Sequence, residues 1–394
     1  MKICHIGDMH LGLGYPGPTP ESRFEDITRV MDWCADRIIE ENCGLVLIAG
    51  DMFKDARVYL DRASREIMAI RSWLKKLSNF GCHIIAISGT PSHDAISAYE
   101  ILDAMRIENV DIFSKPAIRH SWTGVEVACL PGMNRSSLVA QEEYRSFPPH
   151  EIHQIMTDQI TKSCQSMRDG LFSNGDGPKI LLGHLTYDLA DKGFEDVLMQ
   201  HEPILTQEAI QGYDLVCLGH IHRPQQNGKV FYCGSPERLT FNDENIIPGF
   251  WIHDLQDGLF ASRFIETPGR RFIPLNWNEG DMRDCINHGD LFLGYADIQD
   301  AIVRLRYTCP EDIAKRLDKK ALEQALYDAG AFYVTEISGT VTESTRNREE
   351  EVTAEMGPVE AVRKWCEQPE INIDPQEIPF LLDMTAGLLG GVSE

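Results

Sequence analysis

Short apolar runs alternate with helix-period segments through the first two-thirds of the chain. Lys2 to Ile6, Leu45 to Ala49, Cys82 to Ile87, Val125 to Leu130, Lys179 to Leu182, Asp214 to Leu218, Val230 to Tyr232 and Gly249 to His253 read as strands. Between them Ile27, Val30, Met31, Cys34 and Ile38 fall on one helical face, and Ile67 to Leu77 reads as a second helix. Strand, helix, strand in repeated order predicts an α/β fold with a largely parallel sheet. The later strands crowd together with less helix between them, which predicts a second, more antiparallel sheet. After the turn signal Thr267-Pro268-Gly269 comes an extended stretch, then a strand (Ala301 to Tyr307), a helix (Lys319 to Asp328) and a strand (Phe332 to Ile337), a small α+β unit. Thr342 to Glu355 is polar and charged and reads as a linker. Pro358 to Cys366 and Ile378 to Leu389 read as two short helices, the second entered through a capping pattern at Asp374-Pro375-Gln376-Glu377. The expected division is 1–266, 267–341 and 342–394.

The polar residues that interrupt this pattern are not scattered. Gly7-Asp8-Met9-His10 follows the first strand, Gly50-Asp51 the second, Gly89-Thr90-Pro91-Ser92-His93-Asp94 the third, Gly183-His184 a later one, and Gly219-His220-Ile221-His222 the next. Ligands of open α/β sheets collect beyond the carboxyl ends of the strands, so these ends are expected to converge. The glycines let the backbone turn sharply there. Mixed carboxylates and imidazoles suit Mn²⁺, Fe or Zn²⁺. A D-x-H pair, an H-x-H pair, a lone Asp and a lone His are enough for two ions, and two ions ~3.5–4 Å apart form a clamp for phosphoryl chemistry. A single histidine at a strand end is more often structural; five such motifs in series are not. His5, inside its strand, reads as a core histidine or one that supports the ligands. Gly12-Leu13-Gly14-Tyr15-Pro16-Gly17 fits a dinucleotide fingerprint in letters only, because Pro16, Pro18 and Pro20 are expected to keep a helix from opening there. Cys217 and Cys233 lie in apolar runs and read as packing residues.

This order of motifs resembles the calcineurin-like metallophosphoesterases, and more narrowly the SbcD-type nuclease subunits of SbcCD-type complexes. His5-Ile6-Gly7-Asp8-Met9-His10-Leu11-Gly12 resembles the opening of that family, and Tyr232-Cys233-Gly234-Ser235-Pro236-Glu237-Arg238-Leu239 resembles its segment after the H-x-H. The resemblance implies a metallophosphoesterase β-sandwich flanked by helices, a small α+β capping domain and a helical tail that docks an ATPase. It implies two divalent cations, Mn first among them. Asp8, His10 and His222 would hold one, His184 and His220 the other, and Asp51 would bridge. His93 would be the catalytic histidine at the phosphate, with Asp94 orienting its ring. The third motif departs from the family pattern: it is longer and lacks the Asn that ligates the second metal, so Thr90, Ser92 or water would take that place. The implied activity is a DNA exonuclease and endonuclease acting in repair, recombination or replication, with an SbcC-like ABC-type ATPase as partner and a homodimer as the assembly. The alternatives are a stand-alone phosphodiesterase for small or cyclic-nucleotide esters and a noncatalytic scaffold for the ATPase.

Composition narrows this only at the margins. The formal net charge of −24 opposes nonspecific clamping of nucleic acid, so DNA contact is expected to be local, through bound cations, through Lys54, Arg57, Arg223 and Arg238 near the motifs, and through the partner. Residues 341–394 carry 4 basic and 12 acidic residues, which suits docking onto a basic surface. Eleven scattered cysteines without a C-x-x-C pair argue against a disulfide framework and for reduced, buried thiols. The opening Met1 to Gly7 lacks a signal peptide's apolar core, and no run approaches the ~20 apolar residues of a membrane span. The expected location is cytoplasmic, with no membrane contact.

Overall fold

The computed structural model describes residues 1–54, 64–92, 94–133, 147–172, 177–193, 202–288, 296–342, 357–366, 373–374 and 377–390. His93, Arg57 and nearly all of the expected linker lie outside the described residues.

The chain opens with β1 (Lys2–Ile6), α1 (Pro20–Glu40), β2 (Cys43–Ala49), α2 (Ser64–Phe80), β3 (His83–Ile87), α3 (Ile96–Ala104) and β4 (Val110–Phe113). It continues through β5 (Ala117–His120), β6 (Glu126–Leu130), α4 (Pro149–Phe172), β7 (Lys179–His184), β8 (Thr186–Tyr187), β9 (Ile204–Leu205), β10 (Leu215–Gly219), β11 (Gln225–Asn227) and β12 (Val230–Tyr232). The hairpin β13 (Gly249–Gln256) and β14 (Leu259–Glu266) follows. Then come β15 (Phe272–Trp277), α5 (Glu279–His288), β16 (Ile302–Pro310), α6 (Glu311–Ala314), α7 (Lys319–Asp328) and β17 (Tyr333–Thr342), and last α8 (Pro358–Cys366) and α9 (Ile378–Gly390).

Two six-stranded sheets form the body, in the orders β14-β13-β1-β2-β3-β4 and β11-β12-β10-β7-β6-β5. Strand alternation explains why they stack. In β2, Leu45, Leu47 and Ala49 point at the other sheet and meet Val127, Cys129, Ile180, Leu182 and Cys217. Val46 and Ile48 point the opposite way, against Ile27, Val30 and Ile38 of α1 and Ile70 and Leu74 of α2. On the far side Leu181, Val216 and Leu218 pack under Ile160, Cys164 and Leu171 of α4. The result is a β-sandwich between two helical layers. Each fully buried Leu or Ile in it contributes ~1.5–3 kcal/mol of burial.

The second sheet corrects one expectation. Its central strands β12, β10, β7 and β6 are mutually parallel, and only the edges β11 and β5 run antiparallel. The cause is α4, whose crossover returns the chain from β6 to β7 in the same direction. Pro20 corrects another. It opens α1 rather than blocking it, because a first-turn proline sacrifices no helical hydrogen bond and Thr19 caps the end by accepting from the Ser22 N–H at 3.2 Å.

The three-stranded parallel sheet β15-β16-β17 has its own core, in which Leu275, Trp277, Val303 and Leu305 pack with Met282, Leu322 and Leu326. It is tied to the sandwich by Arg270, which donates to both carboxylate oxygens of Asp26 on α1, each under 2.8 Å, and to Asp300. The cysteines are all free, and all but Cys285 are buried, as the sequence predicts. Among the described residues no helix is long and apolar enough to cross a membrane.

Candidate metal centre

Parallel pairing brings the strand ends into line. Ile6 sits beside Ile48, Ala49 beside Ile87, and Gly219 beside His184. The residues just past these ends therefore crowd along one rim shared by both sheets. The crowding is paid for in backbone conformation: Asp8, His10, Asp51 and His220 all have positive φ, at 52°, 48°, 46° and 95°. Such conformations are rare for residues with a side chain and cluster where function requires them. Gly50 (φ 92°) and Gly89 make the rim possible, since a Cβ on Gly50 would lie 2.5 Å from His184 Nδ1 and one on Gly89 would enter the Asp51 carboxylate.

The six residues expected as ligands come together, with Asp51 between two histidine pairs. Asp51 Oδ2 is 3.5 Å from His10 Nε2, and Oδ1 is 3.4 Å from His184 Nε2. His10 Nε2 lies 3.1 Å from His222 Nε2, and the His184 and His220 rings are 5.1 Å apart. Asp8 completes the set, with Oδ1 3.9 Å from His184 Nδ1; ligand atoms of Asp8, Asp51 and His184 all lie within 4.8 Å of one another. Asp8 is held in place by the His220 N–H, which donates to both its oxygens at 3.0 and 3.1 Å.

The outer nitrogens of three imidazoles are anchored. His184 Nδ1 donates to the Ala49 carbonyl at 2.7 Å. His220 Nε2 is 2.6 Å from Glu202 Oε2, and His222 Nδ1 is 3.7 Å from Asp243 Oδ1. An imidazole that gives one N–H to a carbonyl or carboxylate presents its other nitrogen as a metal ligand and is more basic for it. His184 Nε2 is such a nitrogen, buried and without a hydrogen-bond partner. A divalent cation fits this donor set. It is hard-to-borderline in chemistry, it accounts for an orphaned buried nitrogen, and cis nitrogens at ~2.0–2.1 Å from one ion stand about as far apart as those of His10 and His222.

Charge at the site is set by burial. Burial raises the Asp8 carboxyl, with Asp51 adding repulsion and His184 and His222 opposing. Burial lowers the His220 imidazole, but the Glu202 carboxylate, with Asp51 and Asp8, brings it above its ordinary value. Burial raises Asp243, yet the hydrogen bond and charge of His222 and the N–H groups of Thr240 and Leu239 leave it below the usual carboxylate range.

In the third motif Asp94 is fully buried. It accepts from the N–H of Gly89 at 2.7 Å, of Ala95 at 3.0 Å and of Phe53 at 3.3 Å. Burial, then repulsion by Asp51, pushes its pKa up to about 8. These bonds hold the backbone of the motif; the ring of His93 lies outside the described residues. Of the two hydroxyl residues expected near the centre, Thr90 is buried and its N–H donates to Asp51 Oδ1 at 3.2 Å, whereas Ser92 is exposed. Arg238 is half-buried and donates to the Arg270 carbonyl at 3.3 Å. Lys192 and Arg223 instead line a cleft beside His222.

Glu202 and Asp243 are the residues that sequence reading does not find. Glu202 follows no strand or glycine signal. Asp243 is legible only as the third residue of a capping turn begun by Thr240.

The calcineurin-like phosphoesterase family pattern matches residues 1–224. Among solved structures, the chain is similar to TT1561 of Thermus thermophilus, at 12% identity and a TM-score of 0.38 over 67% of this chain and 98% of that one. It is likewise similar to a dimetal phosphatase from Danio rerio, at 10% identity and a TM-score of 0.38 over 68% of this chain and 97% of that one. With its family pattern spanning more than half of the chain and its Asp and His residues gathered on one rim, the protein belongs to the calcineurin-like phosphoesterases.

Proposed function

We propose that this metal-dependent phosphoesterase is a DNA exonuclease and endonuclease, the SbcD-like subunit of an SbcCD-type complex working in the cytoplasm with an SbcC-like ABC-type ATPase. The observation that carries the hydrolytic part is Asp51, which offers one oxygen to the His10–His222 pair and the other to the His184–His220 pair. That spacing suits a bridging carboxylate. In this reading Asp8, His10, Asp51 and His222 hold one cation, and Asp51, His184 and His220 hold the second. Two Mn²⁺ ions, when bound, neutralise charge at phosphorus and activate water for in-line attack. The chain's own residues do the rest. In this reading His93 contacts the phosphate and gives a proton to the leaving oxygen, Asp94 orients its ring, and Thr90, Ser92 or water takes the place of the family's Asn. Lys192 and Arg223 in the cleft beside His222 suit a phosphate backbone.

The capping unit, residues 267–341, and the tail, residues 342–394, support a macromolecular substrate and a partner. Within α9, Phe380, Met384 and Leu388 recur every fourth residue and are 68%, 50% and 70% exposed. An apolar stripe of that kind on an acidic tail fits a docking helix. A homodimer belongs to the same proposal.

The test is hydrolysis of linear double- and single-stranded DNA beside bis(p-nitrophenyl) phosphate, with Mn²⁺, Mg²⁺ or EDTA. Mn²⁺-dependent DNA degradation is expected. His93→Ala is expected to lose ~10²–10⁴-fold in rate with metal content unchanged, the range for loss of a positioned acid–base group. Turnover of the small ester with DNA left intact, in the presence of the ATPase as in its absence, would overturn the nuclease assignment.

A further inference from the structure

Away from the rim, between the two sheets, a second cluster of ligand-type side chains is buried in the apolar interior. His5 on β1 and His253 on β13 come from one sheet and Cys217 on β10 from the other. All three are fully buried, and one ligand atom from each lies within 4.8 Å of the others. The surroundings are Leu215, Phe231 and other members of the inter-sheet core. We propose that His5, Cys217 and His253 form a second metal site, separate from the phosphoesterase centre, for a thiophilic d10 cation, Zn²⁺ or Cu⁺.

Four observations carry this. His5 Nδ1 is buried with no hydrogen-bond partner, while its Nε2 meets the Leu218 carbonyl at 3.1 Å. His253 Nδ1 is engaged by Ser262 Oγ at 2.7 Å, which leaves Nε2 directed at Cys217 Sγ, 3.9 Å away. Metal–nitrogen and metal–sulfur bonds of ~2.0–2.1 and ~2.3 Å place the two ligand atoms ~3.6–3.8 Å apart for angles between tetrahedral and trigonal. The His5 and His253 ring centroids are 5.7 Å apart and 26° from parallel, a separation that two imidazoles on one trigonal ion also reach. Finally, an open cavity of about 410 Å³ is lined by Leu215 and Phe231 of the surrounding core and by Ser262, the residue that engages His253 Nδ1.

The ligand chemistry agrees. Thiolate and imidazole together select soft or borderline d10 ions over Mn²⁺ or Mg²⁺. Burial lowers both imidazoles, His253 to about 3, so both are neutral and able to ligate near pH 7. A cation bound here would replace the Cys217 thiol proton, which leaves to solvent, against a burial that favours the protonated thiol. The ion would join β1 and β13 to β10 and act as a staple across the sandwich.

The experiment uses the full chain, refolded or expressed with Zn²⁺ or Cu⁺ and then dialysed against EDTA. The expected result is ~1 retained ion per chain, present also in Asp51→Asn, in which the rim site is disabled. Cys217→Ala should lose that ion and lower Tm while keeping Mn²⁺-dependent phosphoesterase activity. Because that variant alters the core, the wild type supplies an independent readout. Its X-ray absorption spectrum should show one sulfur and two imidazole nitrogens, and a Co²⁺ complex should show a thiolate charge-transfer band. The ion giving this signature, Zn²⁺ or Cu⁺, identifies the occupant. Wild-type protein with no EDTA-resistant ion in either arm and no thiolate band would overturn the site.

Discussion

Glu202 meets one nitrogen of His220: its carboxylate is 2.6 Å from Nε2. In the proposed centre the other nitrogen, Nδ1, would be the ligand. Partners of this kind affect metal affinity without touching the metal, typically by ~10–100-fold. Glu202→Ala is therefore expected to weaken one Mn²⁺ equivalent by that factor in a calorimetric titration, with Glu202→Gln recovering part of it because an amide oxygen still accepts the N–H. Equal weakening in both variants would mean that the charge, not the hydrogen bond, matters. The candidate ligands were legible because each motif includes a glycine at the end of an apolar run. Glu202 was not, since a carboxylate that acts across 18 residues through one hydrogen bond leaves no spacing signature.

Turns, not strands, carry the strain of this fold. Two glycines with different surroundings separate backbone strain from crowding. Gly81 has φ 104° with nothing within 4 Å of where a Cβ would sit, whereas a Cβ on Gly89 would enter the Asp51 carboxylate. Gly81→Ala is expected to cost ~1 kcal/mol in thermal or urea unfolding and leave Mn²⁺ binding unchanged. Gly89→Ala is expected to cost ~1–3 kcal/mol and to abolish tight Mn²⁺ binding as well, because Asp51 must move. Mn²⁺ affinity preserved in Gly89→Ala would show that the rim is softer than its packing indicates. The helices were unevenly legible. The apolar face of α1 predicted its place against the first sheet, and α7 and α8 begin and end where their periodicity does. The face of α4, with Ile152, Met156, Ile160 and Cys164 four apart, is equally regular, and its crossover makes β6 and β7 parallel where crowded strands alone suggest antiparallel pairing.

The three-stranded unit and the sandwich are joined by a buried ionic brace. Asp26 accepts from Arg23 and Arg270, and the carboxylate of Glu237 takes the N–H groups of Arg238 and Arg270. Arg270→Met is expected to cost ~3 kcal/mol, because it leaves Asp26 buried with less compensation. Glu237 adds a pH dependence. Burial, opposed by Arg23 and the two N–H groups, pushes its pKa up to about 7. A carboxyl that is more basic folded than unfolded stabilises in its protonated form. Its contribution is full below the unfolded pKa of ~4.3 and is lost as pH rises through about 7. Tm of the wild type should therefore fall between pH 5 and 8, and Glu237→Gln should flatten that slope; an unchanged slope would place the titration elsewhere. If the proposed ATPase docks on the tail, deleting residues after 345 should abolish ATPase binding in a pull-down and leave bis(p-nitrophenyl) phosphate hydrolysis intact.

Local pattern was enough for the alternation of strands and helices, the rim motifs and their metal chemistry, because each depends on neighbours a few residues apart. Direction of the second sheet, the nitrogen each histidine offers, the anchoring by Glu202 and Asp243, and the meeting of His5, Cys217 and His253 depend on contacts between residues up to 248 positions apart. Two sheets must stack before β1, β13 and β10 face one another. Periodicity says which side of a strand is buried, but only packing says what it is buried against.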